Sequence, residues 1–254
     1  MPEHTTFLTY LLAKFPALQA NAENIGYSFV GHQEPTWRSF EPVITAFLVI
    51  VAVTLMAART RSRLADVEAS VIPDDTLTLR TFMEAFVGYF YGIARDAMGP
   101  KRAKRYFPIV GASAFFIFFS NILTLIPGMS PPTSSLNVTL GCALVVFILF
   151  NYYGLQANGL GYVKHLAGPK WYLAPLIFPI EVISTCVRPV TLSIRLMINM
   201  AVDHLLGTIA IGIVALFVPV PLMFLGAIVI VVQTLVFSLL TSIYIGLATE
   251  HEEH

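Results

Sequence analysis

Runs of apolar residues without a formal charge divide the chain into segments that could cross a membrane. The first run, residues 42–58, is just long enough, because a crossing takes about 20 residues at ~1.5 Å each. A second run, residues 106–163, contains no Asp, Glu, Lys or Arg and is interrupted by a proline- and glycine-rich turn that begins at Pro127. It therefore predicts two helices joined by an uncharged turn.

Two further apolar regions complete the pattern. Residues 171–218 are apolar with charges embedded in them, and Pro219 and Pro221 separate them from the final apolar run. We predict an all-α membrane protein with five membrane-inserted helices in a membrane domain over residues 42–254. The predicted helices are 42–58, 106–126, 136–157, 171–218 and 222–249.

The fourth of these crossings is unusually long. As one helix, residues 176–218 would extend about 64 Å, roughly twice the ~30 Å thickness of the hydrocarbon layer. We therefore expect either a strong tilt or a break near Pro189. The last two helices would then form a long, strongly tilted hairpin.

Residues 80–96 have a different pattern, which predicts an amphipathic helix that lies on the cytoplasmic membrane surface. A short soluble helix between loops is the alternative, and the aromatic content favours the membrane surface. The apolar face would hold Phe82, Phe86, Tyr89, Phe90 and Ile93, and the polar positions would be Arg80, Glu84 and Arg95.

Composition also indicates a membrane protein. Hydrophobic residues make up 56% of the 254 positions and charged residues 12%, whereas about a quarter of the residues in soluble domains are charged. The formal net charge is zero, so nothing indicates a nucleic acid partner. Cys142 and Cys186 lie far apart in apolar stretches, so we interpret them as packing residues. No pattern indicates a disulfide, a metal cluster or a cofactor.

Basic residues predict the orientation. Arginines follow the first helix, a basic cluster at 101–105 precedes the second, and two lysines follow the third, whereas the turns near 127–134 and 218–221 lack Lys and Arg. The positive-inside rule then places the segment 1–41 outside and the C-terminus in the cytoplasm. The first residues do not match a signal peptide, because an acidic residue stands where a positive region should be.

Ionisable residues occur inside the fourth crossing, where they are costly and by default indicate ion or substrate pathways. At about 100° per residue, five polar positions fall within a narrow sector of the helix. His204, next to Asp203, lies ~14 Å beyond Arg195 along the axis and on the opposite side. Glu181 would then lie toward the cytoplasm and Arg195 near mid-membrane. The five positions are Glu181, Ser184, Arg188, Arg195 and Asn199.

Each of these charges also has a purely structural interpretation. Arg188 could extend to the cytoplasmic interface as an anchor, and the sequence leaves anchor and function equally open. Arg195 cannot easily reach an interface from the middle of a helix, so a functional role is favoured. His204 could be a packing residue, but its position beside Asp203 favours proton handling. Asp203 itself could be an interface acid.

The last helix carries a second polar stripe. Gln233 and Tyr244 are eleven residues apart, which returns to nearly the same helix face, and Gly226 lies on that face too. A single Gln or Tyr in a membrane helix more often forms a packing hydrogen bond than lines a pathway. The stripe nevertheless offers a face that could meet the charged segment.

One motif in the charged segment is recognisable. The sequence from Arg188 to His204 reads Arg-Pro-Val-Thr-Leu-Ser-Ile-Arg-Leu-Met-Ile-Asn-Met-Ala-Val-Asp-His. It resembles the pattern around the membrane arginine of subunit a of the F-type ATP synthases, and the spacing is matched. The region 80–127 resembles the surface helix and next crossing of that family. Further similar positions are Pro179 to Glu181, Asn121, Pro127, Asn137 to Thr139, Gln233, Tyr244 and Ala248 to Glu250.

The resemblance implies a non-catalytic stator subunit that lies beside a rotating c-ring and provides two offset half-channels for protons. Ring rotation would couple ion flow to ATP synthesis in a soluble sector. Arg195 would face the ring carboxylates, favour their ionised form and prevent a short circuit between the half-channels. A guanidinium suits this role because it stays protonated and cannot relay protons.

The same resemblance assigns the other residues to the two half-channels and implies the partners. The partners would be the c-ring, peripheral-stalk b subunits and the lipid bilayer, in the plasma membrane of a bacterium. His204, Asn199 and Gln233 would line the outer half-channel, and Glu181 and Ser184, with Tyr244 as a further candidate, the cytoplasmic one.

This chain departs from the family pattern at two places. Many relatives have Phe-Gly before the asparagine and Gly before the acid or histidine, whereas this chain has Met197-Ile198 and Val202-Asp203. Asp203 adds a carboxylate beside His204, which would favour the protonated imidazole. Gly226 stands where some relatives have a polar partner for the acid, so the titratable group would have moved from one helix to the other.

Two other classes of function remain as alternatives. A proton-coupled secondary transporter could use the same buried charges, but it would usually show paired repeats and a substrate cavity, which the sequence does not indicate. An intramembrane enzyme would need a nucleophile with its base or a metal motif such as HExxH, and neither occurs. Co-purification with a c-ring and a soluble ATPase sector would distinguish the stator subunit of an ATP synthase from the transporter.

Replacing His204 by Ala tests whether the titratable group of the outer pathway lies on the fourth crossing. We expect lower ATP-driven proton pumping in reconstituted vesicles, because alanine cannot bind and release a proton. Undiminished pumping by a fully assembled complex would contradict the hypothesis.

Overall fold

Long helices make up the part of the chain that the computed structural model describes, and no β-strand occurs among those residues. The described residues are 41–63, 78–126, 129, 131–159, 161–162, 174–213 and 219–249. All but the last residue of the predicted outer segment 1–41 therefore lies outside them, as does the C-terminal tail from residue 250.

Within the described residues, six α-helices follow one another, with two single turns of 3₁₀-helix, Leu123–Leu125 and Pro132–Ser134, between the third and the fourth. Five of the six are long and apolar enough to cross a membrane, all except the second. The prediction of an all-α membrane protein with five crossings is thus confirmed, and the chain is a multi-pass membrane protein. The helices are α1 (Glu41–Arg63), α2 (Leu79–Met98), α3 (Pro100–Ile122), α4 (Leu136–Asn158), α5 (Ala174–Ile213) and α6 (Pro219–Ala248).

Helix α3 begins at Pro100, six residues before the charge-free run, so the basic cluster belongs to its first turns. Proline is favoured at the first position of a helix, where its missing N–H leaves no bond unmade. One of these basic side chains has a structural partner: Arg102 Nη1 donates to the carbonyl oxygen of Gly246 at 3.1 Å. A cation is favourable there because Gly246 lies in the last turn of α6.

Helix α5 is continuous over its 40 residues, although it contains Pro179 and Pro189. Of the two alternatives expected for this length, a strong tilt or a break near Pro189, the break does not occur. Hydroxyl side chains next to this proline bond to the backbone: Thr191 Oγ1 lies 2.6 Å from Val187 O, and Ser193 Oγ lies 2.9 Å from Val190 O. Such bonds and the packing of neighbouring helices let membrane helices tolerate proline. The strong tilt stays a prediction.

Helix α2 is the predicted helix of residues 80–96, and its place on the membrane surface stays a prediction. Thr78 caps it by accepting a hydrogen bond from the Thr81 N–H, and Gly99, with φ +82°, ends it. Phe86 and Phe90 are buried, and Phe86 stacks on Phe115 of α3 with ring centroids 4.3 Å apart. The aromatic face is only partly buried, because Phe82 and Tyr89 are exposed.

The chain divides into two compact units. We call the described parts of 1–53, 116–141 and 194–233 the first unit, and those of 54–115, 142–193 and 234–254 the second unit. Helices α2, α3, α4 and α6 contribute to a tightly packed core in the second unit. This core consists of Ala94, Met98, Ala103, Tyr106, Val110, Phe150, Ile245 and Ala248.

Gly154 permits a close approach in the second unit. A Cβ at this position would lie 2.8 Å from the ring of Tyr162 and 3.1 Å from the carbonyl oxygen of Ala248. The ring could move, but the backbone oxygen belongs to the end of α6. Gly141 on the same helix has open space, with nothing within 4 Å of its Cβ position.

We expect Gly154→Ala to lower the stability of the subunit by about 1–3 kcal/mol, because the added methyl overpacks the contact between α4 and α6. Thermal unfolding of the detergent-solubilised complex measures the effect. Gly141→Ala is the matched control and should be neutral or slightly stabilising, since alanine is the better helix former. Equal Tm values for the two variants would contradict the close contact at Gly154.

Candidate functional site

Arg195 lies on the exposed face of α5, in the first unit. Its neighbours on this face, Ile194 and Ile198, are exposed apolar side chains, whereas Leu196 and Met200 are buried on the other side of the helix. No acid pairs with Arg195 among the residues that the structure describes. The arrangement presents a permanent cation on an apolar surface, where it can attract an anion supplied from outside this part of the chain.

Asn199 and Gln233 join α5 to α6 one turn from Arg195. The Asn199 Nδ2 donates to Gln233 Oε1 at 3.0 Å, and Gln233 is only 3% exposed. The Gln233 Nε2 finds no hydrogen-bond partner in the described part of the chain. A buried donor without a partner is costly, so this atom marks a place where a water molecule would bind.

Asp203 lies one turn beyond Asn199 on α5. Its side chain is partly exposed, but the Oδ2 atom is enclosed and lacks a hydrogen-bond partner within the described residues. A donor, Gln233 Nε2, and an acceptor, Asp203 Oδ2, are thus both unpaired near Asn199, since residues i and i+4 of a helix are neighbours. His204 belongs to α5, and its side chain lies outside the described part.

Ser120 and Asn121 of the first unit were not among the predicted pathway residues, although Asn121 was one of the positions similar to the family. Thr133 donates to Asn121 Oδ1 at 2.6 Å, which leaves Asn121 Nδ2 buried and unpaired among the described residues. The Ser120 Oγ beside it is unpaired in the same sense. The available signal was a Ser-Asn pair within a charge-free helix, where polar atoms need partners.

The second unit holds another group of predicted site residues. Arg188 Nη2 lies 3.8 Å from Glu181 Oε1, and the guanidinium lies over the ring of Tyr244, 5.2 Å from its centroid. Both side chains of the ion pair are partly exposed. Arg188 therefore has two partners, a carboxylate on its own helix and an aromatic face on α6.

Ser184 was predicted to share this site. It lies on the exposed face of α5, and no hydrogen bond joins it to the other three residues in the described structure. Cys186 is exposed on the same helix, so the packing role expected of it is not seen among the described residues. Cys142 is partly buried in α4.

Tyr162 packs on the same apolar core as Tyr244 and was not predicted from the sequence. Its hydroxyl donates to Asn151 Oδ1 at 2.9 Å. Burial raises the pKa of Tyr162 above its ordinary value, Arg188 acts to lower this pKa, and Glu181 acts to raise it. No sequence pattern could have found Tyr162, because it follows a helix of the charge-free run with no charged neighbour on that helix.

Comparison with known proteins gives a consistent result. The sequence profile described as "ATP synthase A chain" matches residues 42–246. A protein of Sorangium cellulosum named "ATP synthase subunit a" is 67% identical over 254 residues, which is 100% of both chains. "ATP synthase subunit a 1" of Syntrophotalea carbinolica is 37% identical over 245 residues, 96% of each chain. This multi-pass chain, with its cation on an exposed helix face, therefore belongs to the ATP synthase A chain family.

Proposed function

We propose that this chain is the ion-conducting stator subunit of a rotary ATP synthase and carries protons to and from c-ring carboxylates through two half-channels. Membership of the family supports the assignment to this complex. The single observation that carries the mechanism is the exposure of Arg195 on the apolar face of α5. A cation in that position is stable only beside an anion or water.

Arg195 would attract a ring carboxylate as the ring rotates past α5. The guanidinium lowers the free energy of the ionised carboxylate, so the carboxyl releases its proton before it passes. Since the guanidinium itself never deprotonates at working pH, a proton cannot cross this point alone. Proton flow is thereby coupled to movement of the ring.

The outer half-channel would run past Asn199, Gln233, Asp203 and His204. The two amides bind water but cannot titrate, whereas the carboxyl and the imidazole can take up and release protons. The unpaired atoms of Gln233 and Asp203 support a water-filled path here. Among the described residues of the first unit outside Glu41, Asp203 is the one carboxyl.

The cytoplasmic half-channel would use Glu181 as its proton-exchanging group, with Ser184, Arg188 and Tyr244 around it. The partly exposed ion pair supports this assignment, because an exposed carboxylate can reach water. Arg188 would hold the carboxylate in place rather than carry the proton, since it is also engaged with the ring of Tyr244.

The proposed assembly and location follow from the family and from the basic residues. The chain would contact a c-ring and peripheral-stalk b subunits in a bacterial plasma membrane. Its C-terminus would lie in the cytoplasm, as the positive-inside rule predicts. ATP synthesis itself would take place in the soluble sector, and this subunit would perform no catalysis.

Arg195→Ala tests the central claim. We expect the complex to assemble but ATP-driven proton pumping in reconstituted vesicles to fall to background, because no cation remains to ionise the ring carboxylates. Arg95→Ala, which removes an exposed cation of α2, is the control and should pump normally. Normal coupling in Arg195→Ala would overturn the proposal.

Asp203→Asn tests the acid of the outer path with a side chain of the same shape. We expect pumping to fall several-fold, because the amide can bind water but cannot exchange a proton. Asp96→Asn removes an exposed carboxylate outside the proposed path and serves as the control. If Asp203→Asn pumps like wild type while His204→Ala does not, Asp203 is an interface acid.

A further inference from the structure

Three cations at the start of α3 share one side of the helix, in the second unit. Lys101, Lys104 and Arg105 are separated by three and four residues, so their side chains leave the helix within a sector of about 100°. All three are exposed, whereas Ala103 and Tyr106 on the other side of the helix are buried in the core of this unit. The three cations, which we call the cationic patch, therefore point away from the protein.

The cationic patch has no counter-charge within the described residues. No acid there pairs with any of its three members, and the guanidinium of Arg105 lies over the ring of the neighbouring Tyr106, 5.5 Å from the centroid. The fourth basic residue of the cluster, Arg102, is partly buried and donates to the carbonyl oxygen of Gly246. Arg102 thus has a partner within the chain, while the patch presents its charge to the surroundings.

The cations near the ends of α1 and α2 are arranged differently. On α2, each arginine has an acid within 3.5 Å, either Glu84 or Asp96. On α1, Arg59 and Arg61 are exposed, but they are two residues apart and so point to nearly opposite sides of the helix. Compared with these two helices, only the start of α3 places three cations without an acid on one face among the described residues.

An exposed apolar surface continues directly from the patch along α3. Pro108 and Ala112 are exposed and Phe115 is partly exposed, and they follow Arg105 at the helical spacing of three and four residues. We call these three residues the apolar strip. They lie in the segment Pro100–Leu125, which is apolar and long enough to cross a membrane. Since charged side chains avoid the hydrocarbon layer, the patch marks the edge of that layer and the strip lies within it.

A phospholipid with an anionic headgroup matches this helix face in both parts. Its phosphate binds lysine and arginine side chains, and its acyl chain covers an apolar surface at membrane depth. A zwitterionic phospholipid carries a positive group beside the phosphate, so the patch attracts it less. A water-soluble anion would match the patch but leave the strip uncovered. Each Lys or Arg at the membrane surface strengthens binding to anionic lipid about five-fold.

We propose that the start of α3 binds an anionic phospholipid, with the phosphate on the cationic patch and an acyl chain on the apolar strip. The inference depends on the membrane location of the chain and not on the proposed proton pathway. The bound lipid neutralises three cations that lack an acid within the described residues. It thereby anchors the start of α3 at the membrane surface.

The test uses the whole complex in phosphatidylcholine vesicles that contain a small fraction of phosphatidylglycerol with a photoactivatable acyl chain. After irradiation, peptide mapping measures how much lipid is attached to α3. In the wild type we expect about ten-fold or more attachment compared with a phosphatidylcholine that carries the same acyl chain, because only phosphatidylglycerol is anionic. Helix α4 has an exposed apolar face and no charged residue, so it is the internal control, with equal attachment of the two lipids expected.

A single substitution tests the patch itself. Lys104→Gln should lower the preference of α3 for phosphatidylglycerol about five-fold, because one cation is lost. Lys104→Arg should keep the preference, because the charge remains. Arg95→Gln is the matched control and should also keep it, since Arg95 is an exposed cation of α2 with Asp96 beside it. Lys101→Gln provides the same test if Lys104→Gln does not assemble.

Three results would overturn the inference. Equal attachment of the two lipids to α3 in the wild type would show that charge does not select the lipid. A wild-type preference in an assembled Lys104→Gln complex would remove the cationic patch as the cause. Absence of lipid from α3 beside normal attachment to α4 would show that a protein partner covers this face instead.

Discussion

A permanent cation on an apolar, exposed helix face is the constraint on which the functional arrangement depends. A guanidinium at membrane depth is costly unless an anion or water accompanies it, and no acid of the described residues pairs with Arg195. The described part of the chain therefore presents a cation whose anion must come from outside that part. Under the proposed function the ring carboxylate is that anion, and the same attraction that stabilises Arg195 makes the carboxyl release its proton.

Unpaired polar atoms are the second characteristic of the first unit. Buried donors and acceptors are normally satisfied, because each unpaired one costs about 1–3 kcal/mol. Among the described residues, the Asn199–Gln233 bond leaves Gln233 Nε2 without a hydrogen-bond partner. The enclosed Oδ2 of Asp203 also has no partner there. A water path explains both, since water molecules satisfy these atoms and also carry protons. The proposed conduction and the local stability would then depend on the same molecules.

The end of α6 shows the opposite behaviour, because its polar groups are satisfied by protein. Arg102 and Asn158 donate to the carbonyl oxygens of Gly246 and Ala248 at 3.1 and 3.2 Å, and Thr249 bonds back to Ile245. These bonds compensate the missing intrahelical partners of the last turn. They also fix the helix that carries Tyr244, so the face over which Arg188 lies is held in place.

The sequence by itself determined the five crossings, because the thickness of the hydrocarbon layer sets how long an uncharged apolar run must be to cross it. It also determined the position of Arg195 on its helix and the common face of Gln233 and Tyr244, because helical period is local. The sequence left a tilt and a break near Pro189 as alternatives, and the helix is continuous there. Hydroxyl groups and neighbouring helices can compensate a proline in ways that no local pattern records.

Only the tertiary structure decided which polar groups meet across helices. The Asn199–Gln233 bond and the contact of Arg188 with Tyr244 join residues of α5 to residues far along the chain in α6. The ring of Tyr162 packs closely on α4 only because Gly154 has no side chain there. Such pairings depend on helix packing, which brings together residues that no spacing within one helix relates.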